Sequence, residues 1–247
     1  MGAHSVQAAQ DTALVIWTFL PGLHGTDELY GALRDCLPDD IQAEFVNLPS
    51  SGKQDYHTLC DWLEEELPVL PKGKKRIIIG ESFSGPLAIR FASRRLDEVA
   101  GIVLAATFCD TPLNPGIALL PLRPLFMVKP PRKALLHFLI GDDAGEAEVE
   151  KLQAVVQSIP SATLSKRVRT ILELQELDNP SIGGLPMLIL QASSDNLIPW
   201  EAQRTLEACY PDASAHWIES PHLLFQRCPQ ECATHLVKFA ERITAVA

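Results

Sequence analysis

Apolar and polar positions along this chain alternate between two regimes. Short runs of nearly unbroken hydrophobic residues are separated by stretches with apolar side chains at helical spacing. Residues 13–20, Ala-Leu-Val-Ile-Trp-Thr-Phe-Leu, read as a strand buried on both faces. Similar runs follow at about 42–48, at 75–81, at 99–107 and at 186–192, with a shorter one at 214–218. Between them, 28–36, 55–67, 85–95, 200–209 and 229–244 carry a helical pattern. In the 55–67 segment the apolar stripe is Tyr56, Leu59, Trp62, Leu63 and Leu67. Strands alternating with helices predict an α/β fold, a sheet of about six mostly parallel strands with helices on both faces.

The rhythm breaks between 110 and 184. This stretch opens on a proline-rich apolar segment and shows helical spacing near 132–140, 146–157 and 162–176, with no strand pattern. It reads as a helical cap or lid inserted between the fourth and fifth strands. The expected organisation is a flexible tail at 1–12, a core at 13–109 and 185–247, and the insertion at 110–184.

The sequence around residue 82 carries the chemistry. Ile77-Ile78-Ile79 runs into Gly80-Glu81-Ser82-Phe83-Ser84-Gly85, and an amphipathic helix pattern starts at once. A serine on a sharp turn between strand and helix is pushed out at the carboxyl end of the strand, beside the helix amino terminus. Small residues at 80, 84 and 85 let the helix pass close to the strand. Two later loops supply candidate partners for that serine. Ser194-Asp195-Asn196-Leu197-Ile198-Pro199 follows the fifth strand, and Ser220-Pro221-His222-Leu223 follows the sixth. A parallel sheet brings all three positions to one edge. Asp110, after the fourth strand, is the rival acid. Pro21-Gly22-Leu23-His24-Gly25-Thr26, after the first strand, has the glycines of a loop whose N–H groups face a site.

Together and in this order, the 21–26 loop, Gly80–Gly85, the Asp195 loop and Pro221-His222-Leu223 resemble the α/β-hydrolase superfamily, specifically its serine esterases and thioesterases. The resemblance covers the chain from about residue 13. It implies a Ser82–Asp195–His222 triad, with Leu23 and Phe83 as backbone oxyanion donors, and no cofactor or metal. Ser84 stands where the family's nucleophile motif has a second glycine. The implied reaction is hydrolysis of a carboxylic ester or thioester through an acyl-enzyme. The same fold also supports lyases, cofactor-free perhydrolases and non-catalytic binding proteins.

Composition narrows the partners. The net charge of −10 argues against nucleic acid, which needs a basic face. Lys+Arg nearly balances Asp+Glu within the insertion, so almost all of the excess acid lies elsewhere in the chain. The insertion's apolar opening, including Phe126 and Met127, is expected to line a pocket for an acyl chain or to pack on the sheet, and His24 either packs in its loop or touches substrate. Arg123, Lys129, Arg132 and Lys133 form a basic cluster that is either a solvated face or a site for an anionic substrate or an acidic acyl carrier. The six cysteines lack metal-site spacing and read as packed thiols of a cytoplasmic protein. No apolar run approaches the roughly 18 residues of a membrane span.

Overall fold

In the computed structural model, residues 15–175 and 180–245 are described. The expected 1–12 tail lies outside them. Six strands form one sheet: β1 (Val15–Leu20), β2 (Gln42–Phe45), β3 (Lys75–Glu81), β4 (Val99–Ala105), β5 (Met187–Ala192) and β6 (Ser214–Ile218). Their order is β2-β1-β3-β4-β5-β6. Every pairing is parallel. The order reverses between β1 and β3, so the crevice outside the carboxyl ends of those strands is the place a ligand site is expected.

Six longer helices flank the sheet: α1 (Tyr56–Glu66), α2 (Gly85–Arg94), α3 (Glu146–Ser158), α4 (Ser161–Glu173), α5 (Trp200–Cys209) and α6 (Pro229–Thr244). Asp55 caps α1 by accepting the Thr58 N–H at 2.9 Å. Pro86 in the first turn of α2 and Pro229 at the start of α6 occupy positions where a missing N–H costs nothing.

Alternation along the strands builds two cores. Trp17, Phe19, Ile77, Ile79, Val103, Leu188 and Leu190 face Leu236 and Phe239 of α6. Leu20, Ile78, Ile102, Leu104 and Ile189 face Leu59 and Leu63 of α1, Leu87 and Phe91 of α2 and Leu206 of α5. Both faces are covered, which is why the central strands read as unbroken apolar runs. A third cluster joins the insertion's Leu135, Ile140, Val149, Leu152 and Val155 to Leu29 and Leu223 of the core loops.

Three elements differ from the pattern-based reading. The 42–48 strand ends at Phe45 and is only half-buried, because β2 is the sheet edge and pairs with β1 alone. The 28–36 helix is a 3₁₀ turn, Glu28–Tyr30, followed by one α-turn, Gly31–Arg34. The 132–140 helix begins as Arg132–Leu135 and widens into a π-turn over Leu136–Ile140 before Gly141 ends it with φ 83°. Cys36, Cys60, Cys228 and Cys232 are thiols, and the sulfurs of Cys109 and Cys209 lie 2.7 Å apart.

Candidate active site

Ser82 sits at the apex of the turn between β3 and α2. Its φ of 49° is in the left-handed region, which costs a non-glycine residue on the order of 1–3 kcal/mol. Neighbouring contacts hold the turn against that cost. Thr107 Oγ1 donates to the Ser82 carbonyl at 2.5 Å, and Ser84 Oγ donates to the Pro21 carbonyl at 2.5 Å. The Tyr56 hydroxyl donates to the Phe83 carbonyl at 2.9 Å. A Cβ at Gly80 would come within 2.5 Å of the Ser84 carbonyl oxygen, and one at Gly85 within 2.1 Å of Thr107 Oγ1. Both glycines are therefore required by close approach. Ser84 fits where a second glycine is usual, because its hydroxyl finds a backbone acceptor.

His222 Nε2 lies 2.9 Å from Ser82 Oγ, and His222 Nδ1 lies 2.8 Å from Asp195 Oδ2. A carboxylate only accepts, so this network puts the ring proton on Nδ1 and leaves Nε2 to accept from the serine hydroxyl. Asp195 is fixed in turn: its Oδ1 accepts the N–H groups of Leu197 at 2.8 Å and Ile198 at 2.9 Å. The side chains of Asp195 and His222 are almost wholly buried. Asp110 instead accepts its own neighbour's N–H, from Thr111, at 2.7 Å. The structure thus brings Ser82, His222 and Asp195 together and leaves Asp110 outside.

Ser82 and His222 reach a cavity of about 230 Å³, with Asp195 behind the histidine. Gly22, Leu23, His24 and Ser82 form its floor; Phe126, Val128, Leu135, Leu139, Leu152 and Leu164 come from the insertion. Among the described residues, no carboxylate and no Lys or Arg lines it. Phe126 is where the sequence placed it. Met127 is not: it is absent from the lining and 70 % exposed, because neighbouring residues on this turn face opposite ways. Arg123, Lys129, Arg132 and Lys133 are all exposed. Arg132 Nε pairs with Glu146 at 3.1 Å.

His24 is buried in the first loop. Burial lowers its pKa to about 4, against a hydrogen bond to the Thr26 backbone that raises it, with repulsion from Arg167 adding to the fall. It is a neutral imidazole near neutral pH.

Two residues the sequence reading passed over belong to this site. Glu81, beside Ser82, is completely buried. Burial raises its pKa, against smaller opposing effects of Tyr30, Gln226, His222 and the Gly22 N–H. A charged residue ending an apolar run was the available signal. Arg167, on α4, had none. It is 1 % exposed and donates to the Leu23 carbonyl at 2.8 Å, Gln54 Oε1 at 2.9 Å and the Pro49 carbonyl at 3.1 Å. Its bonds are to neutral acceptors, and burial lowers its pKa to about 10. It also packs on Gly25, whose φ is 75° and where a Cβ would meet the guanidinium at 2.1 Å.

Residues 50–224, more than half of the chain, match the family described as serine aminopeptidase, S33. The chain belongs to that family. The matched span holds Ser82, Asp195 and His222, the β3–α2 turn and the whole insertion. This S33 member shares its α/β-hydrolase fold with several solved structures. A thermophilic esterase from Thermogutta terrifontis is 18% identical, with 94% of this chain and 91% of that one covered and a TM-score of 0.79. The enol-lactonase from Burkholderia xenovorans LB400 is 13% identical, with 94% and 93% covered and a TM-score of 0.78. An esterase from Exiguobacterium antarcticum is 14% identical, with 92% and 91% covered and a TM-score of 0.77. No curated protein matches the sequence. Among the described residues, no helix is long and apolar enough to cross a membrane.

Proposed function

We propose that this S33 member is a serine esterase that hydrolyses carboxylic esters of short to medium apolar acids through an acyl-enzyme on Ser82. The observation that carries this reading is His222 bridging Ser82 and Asp195 on the floor of an apolar cavity. In the first half-reaction His222 Nε2 takes the serine proton as Oγ attacks the ester carbonyl. Asp195 holds the imidazolium and its tautomer. The N–H groups of Leu23 and Phe83 are the donors assigned to the oxyanion; losing one such donor typically slows an enzyme about a hundredfold or more. His222 returns the proton to the departing alcohol. Water then repeats the sequence on the acyl-enzyme and releases the acid.

The lining selects the substrate. An aminopeptidase must neutralise a free ammonium group, and the cavity lining offers no carboxylate to do so. An uncharged acyl chain leaves nothing unpaired there. The cavity is small beside drug-sized sites of roughly 300–1,000 Å³, which favours short to medium chains. Residues 110–184 act in this reading as a cap, since they provide the roof. A thioester substrate fits the same chemistry, and an acidic acyl carrier would meet the basic cluster at 123–133.

Wild-type and Ser82→Ala protein assayed on p-nitrophenyl esters from acetate to decanoate test the reading. The expected result is turnover with an optimum at intermediate length, and a loss of about 10⁴-fold or more in the alanine variant. Preference for aminoacyl p-nitroanilides, or equal rates in the two proteins, would overturn it.

A further inference from the structure

The segment that roofs the cavity also carries an unusual outer surface. Leu119, Leu120, Leu125, Met127 and Val128 are between 53 % and 89 % exposed, while Leu122 alone of the short helix Leu122–Leu125 turns inward. Single exposed leucines need no explanation, but five within ten residues form a ridge. From Thr111 to Gly141 the chain has no Asp or Glu, yet it carries Arg123, Lys129, Arg132 and Lys133 in a protein of net charge −10. Of the four, Arg132 pairs with Glu146 at 3.1 Å. Leu125 and Val128 belong both to the ridge and to the cavity lining, so the ridge is the rim of the cavity mouth.

We propose that this ridge is a docking surface for an anionic lipid bilayer. Apolar side chains enter the boundary between headgroups and acyl chains while the four cations meet lipid phosphates, the combination that holds interfacial segments on membranes. Charge decides for this occupant: the partner must be apolar and negative at once. Position agrees with it, because a bilayer that covers the ridge opens the mouth onto acyl chains. A folded protein seated there would close the mouth. That the docked enzyme feeds Ser82 rests on the esterase reading; docking itself does not.

Sedimentation of the full chain with vesicles separates the two. The vesicles are phosphatidylcholine alone or with about a quarter phosphatidylglycerol. Wild type and Ser82→Ala are expected to bind the anionic vesicles equally and the neutral ones weakly. Lys129→Glu/Lys133→Glu should bind about thirtyfold more weakly, and Leu119→Asn/Leu120→Asn at least about tenfold. Both double variants should hydrolyse a short soluble ester at the wild-type rate, which shows them folded. Absence of wild-type binding at low salt, or binding retained by either double variant, overturns the proposal. So does an oligomer that Leu119→Asn/Leu120→Asn dissociates while vesicles stay unbound, which gives the ridge to a second copy. Charge-dependent capture of an acidic carrier protein without vesicle binding would give it to that partner instead. If docking holds but Ser82→Ala leaves hydrolysis intact, the esterase reading alone fails.

Discussion

His24 is a histidine the fold keeps uncharged. Its pKa falls from 6.5 to about 4 because burial disfavours the imidazolium, with Arg167 repelling it as well. The folded protein therefore binds that proton less readily than the unfolded chain does. Stability is full above pH 6.5 and is lost as pH falls from 6.5 toward 4, by about 3 kcal/mol from this residue. His24→Phe, which cannot charge, should flatten this part of the curve. Urea midpoints at pH 7 and pH 4.5 will show it: the drop between the two is expected to be clearly smaller in the variant. Equal drops would mean that His24 does not carry the acid sensitivity. Glu81 acts in the opposite sense. Its raised pKa means that the folded state holds its proton more tightly, so its contribution declines as pH rises above the ordinary carboxylate value. The proposed triad was legible one residue at a time, because Ser82, Asp195 and His222 each follow a strand end. Arg167 and His24's burial were not legible, since both depend on packing between α4 and loops far away in sequence.

The elements around Ser82 leave little room. Gly85 opens α2 directly against Thr107, and Thr107 holds the Ser82 carbonyl. In Gly85→Ala the new methyl must displace Thr107, which overpacks the turn and loosens Ser82. Stability should fall by about 1–3 kcal/mol, with kcat reduced more than KM is raised. A stable variant with unchanged kcat would show that the turn holds itself. The second critical junction is α4 against the loops that follow β1 and β2. Besides Arg167, Thr170 Oγ1 donates to the Gln54 carbonyl at 3.0 Å, Thr163 Oγ1 to the Ser50 carbonyl at 2.5 Å and Lys166 Nζ to the Gly52 carbonyl at 2.7 Å. These bonds pin one side of the insertion to the core, and Arg167 alone extends them to Leu23. Arg167→Met would strip the Leu23 carbonyl and Gln54 Oε1 of this donor, while the Pro49 carbonyl keeps the Gln54 side-chain amide, and would lower the melting temperature. It should also reduce kcat about tenfold or more through the Leu23 loop, while KM for a neutral ester changes little. Thr170→Val, which loosens the same junction without touching Leu23, should lower stability and spare kcat. If both variants lose kcat alike, Arg167 is structural only. At this scale the sequence described the central strands well and the edges poorly. β3 and β4, buried on both faces, announce themselves as apolar runs. β2, paired on one side only, does not show where it stops.

Across the whole molecule, the strand order β2-β1-β3-β4-β5-β6 puts the ends of β1, β3, β5 and β6 along one edge, and the loops that leave them carry Leu23, Ser82, Asp195 and His222. The chain order of these residues was readable because a parallel sheet needs every strand to finish on the same side. The roof was readable only as an absence of strand pattern between 110 and 184. Which face of its opening turns inward depended on the packing of Leu122 and Phe126, and the sequence could not separate Phe126 from Met127. The account rests on one claim, that Ser82 is the acyl-accepting nucleophile. The measurement that meets it directly is the mass of the intact protein after treatment with a fluorophosphonate, followed by peptide mapping. The prediction is one adduct per chain, located on Ser82, formed within minutes and absent in Ser82→Ala and strongly slowed in His222→Ala. An unlabelled wild type, or a label that persists when Ser82 is replaced, would contradict it.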